Sequence, residues 1–195
     1  MNDDLRSTIF AQRGTLLALP AAILALAGKP SAFSIALGLP LAFAGEGVRI
    51  WAVGYSGVTT RGDAVIAPAL TTAGPYAHVR NPLYLGNVIT AAGFAVAFTG
   101  RNDAFTRFVL VAGSLAAMLG VYAVIVPHEE AYLRETFGEQ FDEYTARVPR
   151  IMPTLEPSQP QQGSYDPDVI GKAESRTWVS FGAMLAVLAL KALRA

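Results

Sequence analysis

Long apolar runs that carry few charges or none constrain this chain more than any other feature. Residues 83–99 and 108–127 contain no charged side chain, and residues 31–53 contain only Glu46 and Arg49. A bilayer core of about 30 Å requires roughly 20 helical residues, so these three runs are long enough to cross a membrane. Because backbone groups cannot remain unbonded in lipid, each run is predicted to be a helix.

Two shorter apolar runs flank these three. We expect residues 15–27 to form a first membrane helix that is broken or shortened at Pro20, with a cleaved signal peptide as the alternative. Residues 177–190 form the last run, which follows a polar stretch, residues 154–176, that is typical of a loop or tail. The predicted fold is an all-α, polytopic membrane protein with about five transmembrane helices and a cofactor pocket on the cytoplasmic side.

Composition and charge exclude several other classes. Of the 195 residues 52% are hydrophobic and 15% are charged, whereas soluble domains carry about 25% charged residues. Basic and acidic residues balance at 15 each, so bulk charge gives no reason to expect a nucleic-acid partner. The chain has no cysteine, which excludes disulfides, thiolate nucleophiles and cysteine-ligated zinc. We expect a transmembrane domain over residues 1–153, followed over residues 154–195 by a linker and a C-terminal apolar helix.

Two polar segments are predicted to meet on the cytoplasmic face, because an even number of spans separates them and arginines favour that side. The arginines of these segments are Arg61, Arg80, Arg134, Arg147 and Arg150. We therefore expect a multi-pass protein of a bacterial inner membrane, with its site facing the cytoplasm.

The first polar segment ends in a helix start. Asn81 is suited to be the N-cap and Pro82 the first helical residue, and the amides of such a start favour a carboxylate or phosphate. Arg80 lies beside this start and is the candidate catalytic residue. The alternative is that Arg80 anchors the helix at the lipid headgroups and that Tyr84 belongs to an aromatic belt.

The second polar segment opens with adjacent acids. Glu129 and Glu130 are costly at a membrane exit unless they are solvated or bound to a cation, so they form either a solvated helix start or a site for an ammonium or sulfonium ligand. His128 has no second histidine at helical spacing, and no metal site is predicted. Further along, apolar residues recur at helical spacing and predict an amphipathic piece that lies on the membrane or closes over a pocket: Leu133, Phe137, Phe141 and Tyr144.

Glu46 and Arg49 stand three residues apart within the second run. A salt-bridged pair is the default interpretation, because either charge alone would be expensive in lipid. The alternative is that the pair faces the path by which a substrate enters, which makes both residues candidates for substrate binding.

The two polar segments together resemble the isoprenylcysteine carboxyl methyltransferase and phospholipid methyltransferase superfamily. The first reads Gly-Pro-Tyr-x-x-x-Arg-Asn-Pro-x-Tyr-x-Gly, and the second runs from Glu-Glu to Val-Pro-Arg-x-x-Pro. The resemblance covers about residues 65–153 and implies an S-adenosylmethionine pocket between the motifs. The cofactor contacts that it implies are Leu70, Thr71, Tyr76, Arg80, Asn81, Pro82, Tyr84, Glu129 and Glu130. Asn81 stands where the family usually has a histidine, and its amide cannot titrate, so no catalytic base is assigned.

The resemblance implies an S-adenosylmethionine-dependent methyltransferase that acts on a lipophilic acceptor, an isoprenylcysteine-type carboxylate or a similar group. The expected partners are a lipophilic or lipidated substrate and membrane lipids, with no nucleic acid and no metal. An N-methyltransferase of phospholipids or amines is the first alternative. A nicotinamide-dependent membrane reductase and a non-enzymatic membrane binder are alternatives of other classes.

Overall fold

A computed structural model describes residues 3–57 and 67–194, and every regular element in these ranges is helical. The predicted all-α class is thereby confirmed for the described residues, while Arg61 and residues 65 and 66 lie outside them. Two single 3-10 turns cover Gly74–Ala77 and Pro167–Val169. The longer helices are α1 (Asp3–Ala11), α2 (Arg13–Ala27), α3 (Ala32–Ser56), α4 (Pro82–Phe98), α5 (Ala104–Phe137), α6 (Glu139–Arg147) and α7 (Ile170–Leu193).

Three helical segments of the described chain are long and apolar enough to cross a membrane. They are Ala32–Ser56, Ala104–Phe137 and Pro167–Leu193, with 25, 34 and 27 residues. The helices α2 and α4 are apolar but have only 15 and 17 residues. The last apolar run lies in a helical segment that is long enough to span a membrane, because that segment begins before the run, at Pro167. Residues 83–99 lie almost entirely in α4, which is shorter than these three segments. The total of five spans stays a prediction.

The long helices expose apolar side chains instead of burying them. Only 11% of the most apolar window of Pro167–Leu193 is buried inside the protein. Phe108, Leu119 and Val179 are more than half exposed. Apolar surface of this extent is unfavourable in water and suits contact with lipid chains.

Prolines do not end these helices. The helical conformation is interrupted at Gln12, between α1 and α2. Because α2 continues through Pro20, the predicted break at Pro20 is wrong. A proline removes one backbone donor, but apolar helices tolerate it when neighbouring groups take up the freed carbonyl. In the same way α5 continues through Pro127 to Phe137. Glu129 and Glu130 therefore lie inside a helix, and their interpretation as a solvated helix start is wrong.

The chain forms two compact units. The first unit comprises Met1–Ala11, Gly47–Leu85 and Ala123–Ser175. The second unit comprises Gln12–Glu46, Gly86–Tyr122 and Arg176–Ala195. The first unit contains the second motif and the first motif up to Leu85. Of the candidate site residues only Glu46 belongs to the second unit.

The second unit is held by an apolar core and by close approach of two helix backbones. Phe94, Phe98 and Phe181 are central to that core. A Cβ added to Gly93 of α4 would lie 2.7 Å from the Cα of Ala42 and 2.7 Å from the carbonyl oxygen of Gly38, both in α3. These two backbones can approach so closely only because small residues line their contact.

A pair of glycine variants tests this packing. Gly93→Ala should lower the free energy of unfolding by about 1–3 kcal/mol, since the added methyl meets backbone atoms that cannot move aside. Gly113 is also helical, in α5, but has nothing within 4 Å of its added Cβ. Gly113→Ala should therefore be neutral or stabilising by about 0.5–1 kcal/mol. Thermal unfolding in detergent measures both, and equal midpoints for the two variants would contradict the close contact.

The polar stretch before α7 is shorter than predicted. Residues 154–176 were expected to be a loop or tail, but α7 begins at Ile170 after a 3-10 turn. Asp166 caps that turn, because its carboxylate accepts from the amide of Asp168 at 2.9 Å, and Pro167 occupies the first position. The expectation of a loop throughout is wrong because Asp-Pro here starts a helix.

Candidate active site

The first motif turns sharply and then begins α4. Gly74 adopts φ +59°, a left-handed conformation that favours glycine, and the ring of Tyr55 occupies the place where its side chain would be. The helix starts at Pro82, and the amide of Leu85 donates to the carbonyl of Asn81 at 3.0 Å. The predicted helix start at Asn81-Pro82 is confirmed.

The side chain of Arg80 is bound inside the first unit. Its Nε donates to Oε1 of Glu130 at 3.0 Å. Its Nη1 donates to the carbonyls of Val148 at 2.7 Å and Thr145 at 3.2 Å. The side chain is only 13% exposed. These contacts use the planar fork of a guanidinium and tie the first motif to the end of α6.

Glu130 is shared between two arginines. Besides Arg80, Arg150 donates through Nε to Oε1 at 3.1 Å and through Nη2 to Oε2. The carboxylate raises the pKa of Arg150, chiefly through this hydrogen bond. Glu130 is buried, and its charge is compensated by Arg80, which is largely buried, and by Arg150, which is about half exposed. The same charge is therefore already engaged when a ligand arrives.

Glu129 faces two tyrosines of the first motif. The hydroxyl of Tyr84 donates to its Oε1 at 2.6 Å. The hydroxyl of Tyr76 lies close enough to Ser56, Glu129 and Arg49 for these side chains to influence its pKa. Burial is the largest cause that raises the pKa of Tyr76, and the negative charge of Glu129 adds to it. Glu129, Tyr76 and Tyr84 together are called the carboxylate–tyrosine cluster below.

The predicted amphipathic piece forms part of a core. Phe141 and Tyr144 of α6 are buried with Leu70 and Val148, and the chain bends between α5 and α6 at Gly138, where φ is +52°. The hydroxyl of Tyr144 donates to the carbonyl of Tyr76 at 2.8 Å, and burial raises the pKa of Tyr144. Leu70, predicted to contact a cofactor, thus packs its side chain against α6.

The segment before α7 is bound to the first motif, which the sequence did not indicate. The amides of Thr72 and Ala73 donate to the carbonyl of Gln162 at 2.9 and 3.0 Å, and the amide of Gln162 donates to Oγ1 of Thr72 at 2.8 Å. Thr71 donates a weak hydrogen bond to the carbonyl of Tyr55 at 3.5 Å. A polar, proline-containing sequence carries no periodicity that would reveal such pairing.

Arg49 binds an acidic residue that was not considered from the sequence. Its Nη2 donates to both carboxylate oxygens of Glu174 at 2.9 Å, and the two side chains are 9% and 0% exposed. The only sequence signal for Glu174 was an acid just before the last apolar run. The pairing of Arg49 with Glu46 stays a prediction.

Metal-binding groups of three or more histidine, aspartate or glutamate side chains do not occur in residues 3–57 and 67–194. The charged side chains that the structure brings together are instead arginines and carboxylates.

Comparison with known proteins identifies a matching family and similar proteins. The family described as phospholipid methyltransferase matches residues 33–140. Protein-S-isoprenylcysteine O-methyltransferase B of Arabidopsis thaliana is 34% identical over 84 residues, which are 43% of this chain and 39% of the plant protein. Nickel-cobalt-cadmium resistance protein NccN of Alcaligenes xylosoxydans xylosoxydans is 31% identical over 86 residues, 44% of this chain and 37% of that protein. The alignments thus span less than half the length of these relatives. No solved structure matches the chain.

Removal of the shared carboxylate tests the arrangement around Glu130. Glu130→Gln leaves Arg80 and Arg150 without their anion and should lower the free energy of unfolding by about 3 kcal/mol, because one partner of a buried pair is lost. Asp142→Asn is the matched control, since its pair with Arg134 is more than half exposed and should contribute under about 1 kcal/mol. Thermal unfolding of both variants in detergent measures the difference. Similar midpoints would mean that the shared carboxylate does not hold the site.

Proposed function

Because this chain belongs to the phospholipid methyltransferase family, we propose that it transfers a methyl group from S-adenosylmethionine to a lipophilic acceptor at a membrane. The family match covers residues 33–140, more than half of the chain. One relative, 34% identical over 84 residues, is named as a protein-S-isoprenylcysteine O-methyltransferase. We further propose a multi-pass arrangement, in which α2 and α4 also insert and the site faces the cytoplasm.

One observation carries the proposal. Arg80 of the first motif and Glu130 of the second are joined at 3.0 Å, so the two motifs that carry the resemblance meet in one place. Their meeting brings Tyr84 within hydrogen-bonding distance of Glu129. The residues that the resemblance assigns to one cofactor all belong to the first unit, which supports the proposal.

The carboxylate–tyrosine cluster fits S-adenosylmethionine in its chemistry. When bound, this cofactor supplies a methyl group on a positively charged sulfonium, and it also carries an ammonium group. Glu129 would hold the positive groups through charge-assisted hydrogen bonds, and the rings of Tyr76 and Tyr84 suit a cation near their faces. Glu130, engaged with Arg80 and Arg150, would position this cluster. Asn81, Pro82 and Thr71 are proposed contacts, with Leu70 in a supporting role.

In the proposed methyl transfer, the site residues mainly orient the reacting groups and exclude water from them, and proton transfer is less important. The amide of Asn81 does not titrate, and burial raises the pKa of Tyr76 and so disfavours its anionic form further. Methyl transfer from a sulfonium to a nucleophile gains mainly from orientation at close distance. We therefore assign no catalytic base, and Arg80 acts in this proposal through the contacts that it holds.

The acceptor that we propose is an isoprenylcysteine-type carboxylate or a similar lipophilic group, in line with the name of the plant relative. The family description favours a second candidate, the amine of a phospholipid headgroup. Titration of S-adenosylmethionine and of NADPH into the detergent-solubilised chain distinguishes either methyltransferase from the other classes. A methyltransferase should bind S-adenosylmethionine selectively, whereas a reductase or a non-enzymatic binder should not.

The role of Glu129 is tested by removing its charge. Glu129→Gln should weaken S-adenosylmethionine binding about ten- to hundredfold, because a charge-assisted hydrogen bond contributes roughly 1.5–3 kcal/mol. Glu135→Gln, an exposed position on the same helix, should leave the affinity unchanged. Isothermal titration calorimetry in detergent measures both. Wild-type affinity in Glu129→Gln would remove this carboxylate from the proposed site.

Acceptor length tests the proposal of a lipophilic substrate. Each further methylene of the acceptor that is buried should contribute about 0.8 kcal/mol, which is roughly a fourfold gain in kcat/KM. Methyl transfer from labelled S-adenosylmethionine to an acceptor series of increasing chain length gives this dependence. If short soluble and long-chain acceptors react equally well, the substrate is an aqueous molecule and the proposed class is wrong.

A further inference from the structure

An apolar loop follows α6 and is exposed in the first unit. Residues 151–155 read Ile-Met-Pro-Thr-Leu, and Ile151, Met152 and Leu155 are 67%, 77% and 99% exposed. Three large apolar side chains in one short loop are unfavourable in water and mark a surface that contacts something apolar. We propose that the loop 151–155 inserts into the boundary between headgroups and acyl chains of the membrane that holds α5.

The loop is attached to α5 near the point where its apolar run ends. That run ends at Pro127, and Glu130 lies three residues, or about 4.5 Å, further along the helix axis. Arg150 binds Glu130 through both Nε and Nη2, and Ile151 follows Arg150 directly. A helix that spans a bilayer leaves the apolar layer at this level, so the loop begins where headgroups would lie.

Hydrogen bonds to the first motif fix the conformation of the loop. The amide of Thr154 donates to the carbonyl of His78 at 3.0 Å, and Nδ1 of the His78 ring donates to the carbonyl of Thr154 at 2.8 Å. The amide of Arg80 donates to the carbonyl of Pro149 at 2.9 Å. An ordered loop presents its apolar side chains to lipid with little further loss of conformational entropy.

The charges beside the loop favour a lipid surface over an apolar protein surface. Arg147 and Arg150 precede the loop, and their side chains are 38% and 47% exposed although each has an acidic neighbour. A basic group near an anionic leaflet is attracted to its negative surface potential. Apolar residues next to arginines are the combination that binds the interface of a membrane containing anionic lipids.

The absence of natural cysteines makes a site-specific test possible. Met152→Cys and Leu155→Cys are each labelled with a fluorophore, and the full chain is reconstituted into phosphatidylcholine–phosphatidylglycerol vesicles whose acyl chains carry a quencher. Both labels should be quenched at least about twofold more than a label at the exposed polar residue Gln161, because interfacial side chains lie ~5–10 Å deep. Omitting phosphatidylglycerol should weaken this quenching.

The loop proposal rests on the proposed function, because it requires that α5 is inserted in the membrane. A label at Leu119 reports the insertion of α5 separately from the insertion of the loop. Leu119 is exposed within the charge-free run of that helix, so Leu119→Cys should be quenched whenever α5 is inserted. Quenching at Leu119 with loop labels equal to Gln161 overturns the loop proposal alone, and leaves this apolar surface to a protein partner. No quenching at Leu119 overturns the membrane location itself.

Discussion

The carboxylate of Glu130, held between two guanidinium groups, is the interaction on which the first unit depends. A buried carboxylate is tolerated only when cations and donors replace the water that it loses. Arg80 precedes α4 and Arg150 follows α6. Glu130 therefore joins both of these segments to α5. Adjacent helical residues point about 100° apart, which leaves Glu129 to face Tyr84.

A second set of contacts joins the region that matches the family to residues that follow it. Glu174 binds Arg49 of α3, and Gln162 pairs with Thr72 of the first motif. Both residues follow position 140, where the family match ends. The carboxyl-terminal part of this chain therefore supports the segment that carries Tyr76 with residues that lie beyond the family match.

The features that the sequence predicted are those that local physics determines. The charge-free runs are helical, as expected for segments whose backbone groups would have no other partner in lipid. The helix α4 starts at Pro82, because the first amide of a helix has no partner within the helix and proline has no amide hydrogen to leave unbonded. The pair of Arg49 and Glu174 joins residues 125 positions apart, and no local pattern records such a contact. The continuation of α5 through Pro127 also depends on surroundings that propensity does not contain. The even number of spans and the resemblance both predicted that the two polar segments meet, but neither indicated that Arg80 binds Glu130.

Binding of S-adenosylmethionine to wild type and to Arg80→Lys tests most directly whether the contacts of Arg80 assemble a cofactor site. Lysine keeps the charge but cannot reproduce the hydrogen bonds to Glu130, Val148 and Thr145 together. The account predicts that the folded wild-type chain binds the cofactor in calorimetry, and that Arg80→Lys still melts cooperatively but binds at least about tenfold more weakly, a loss of ~1.4 kcal/mol. Equal affinity in the two proteins, or no binding by a folded wild type, would contradict it.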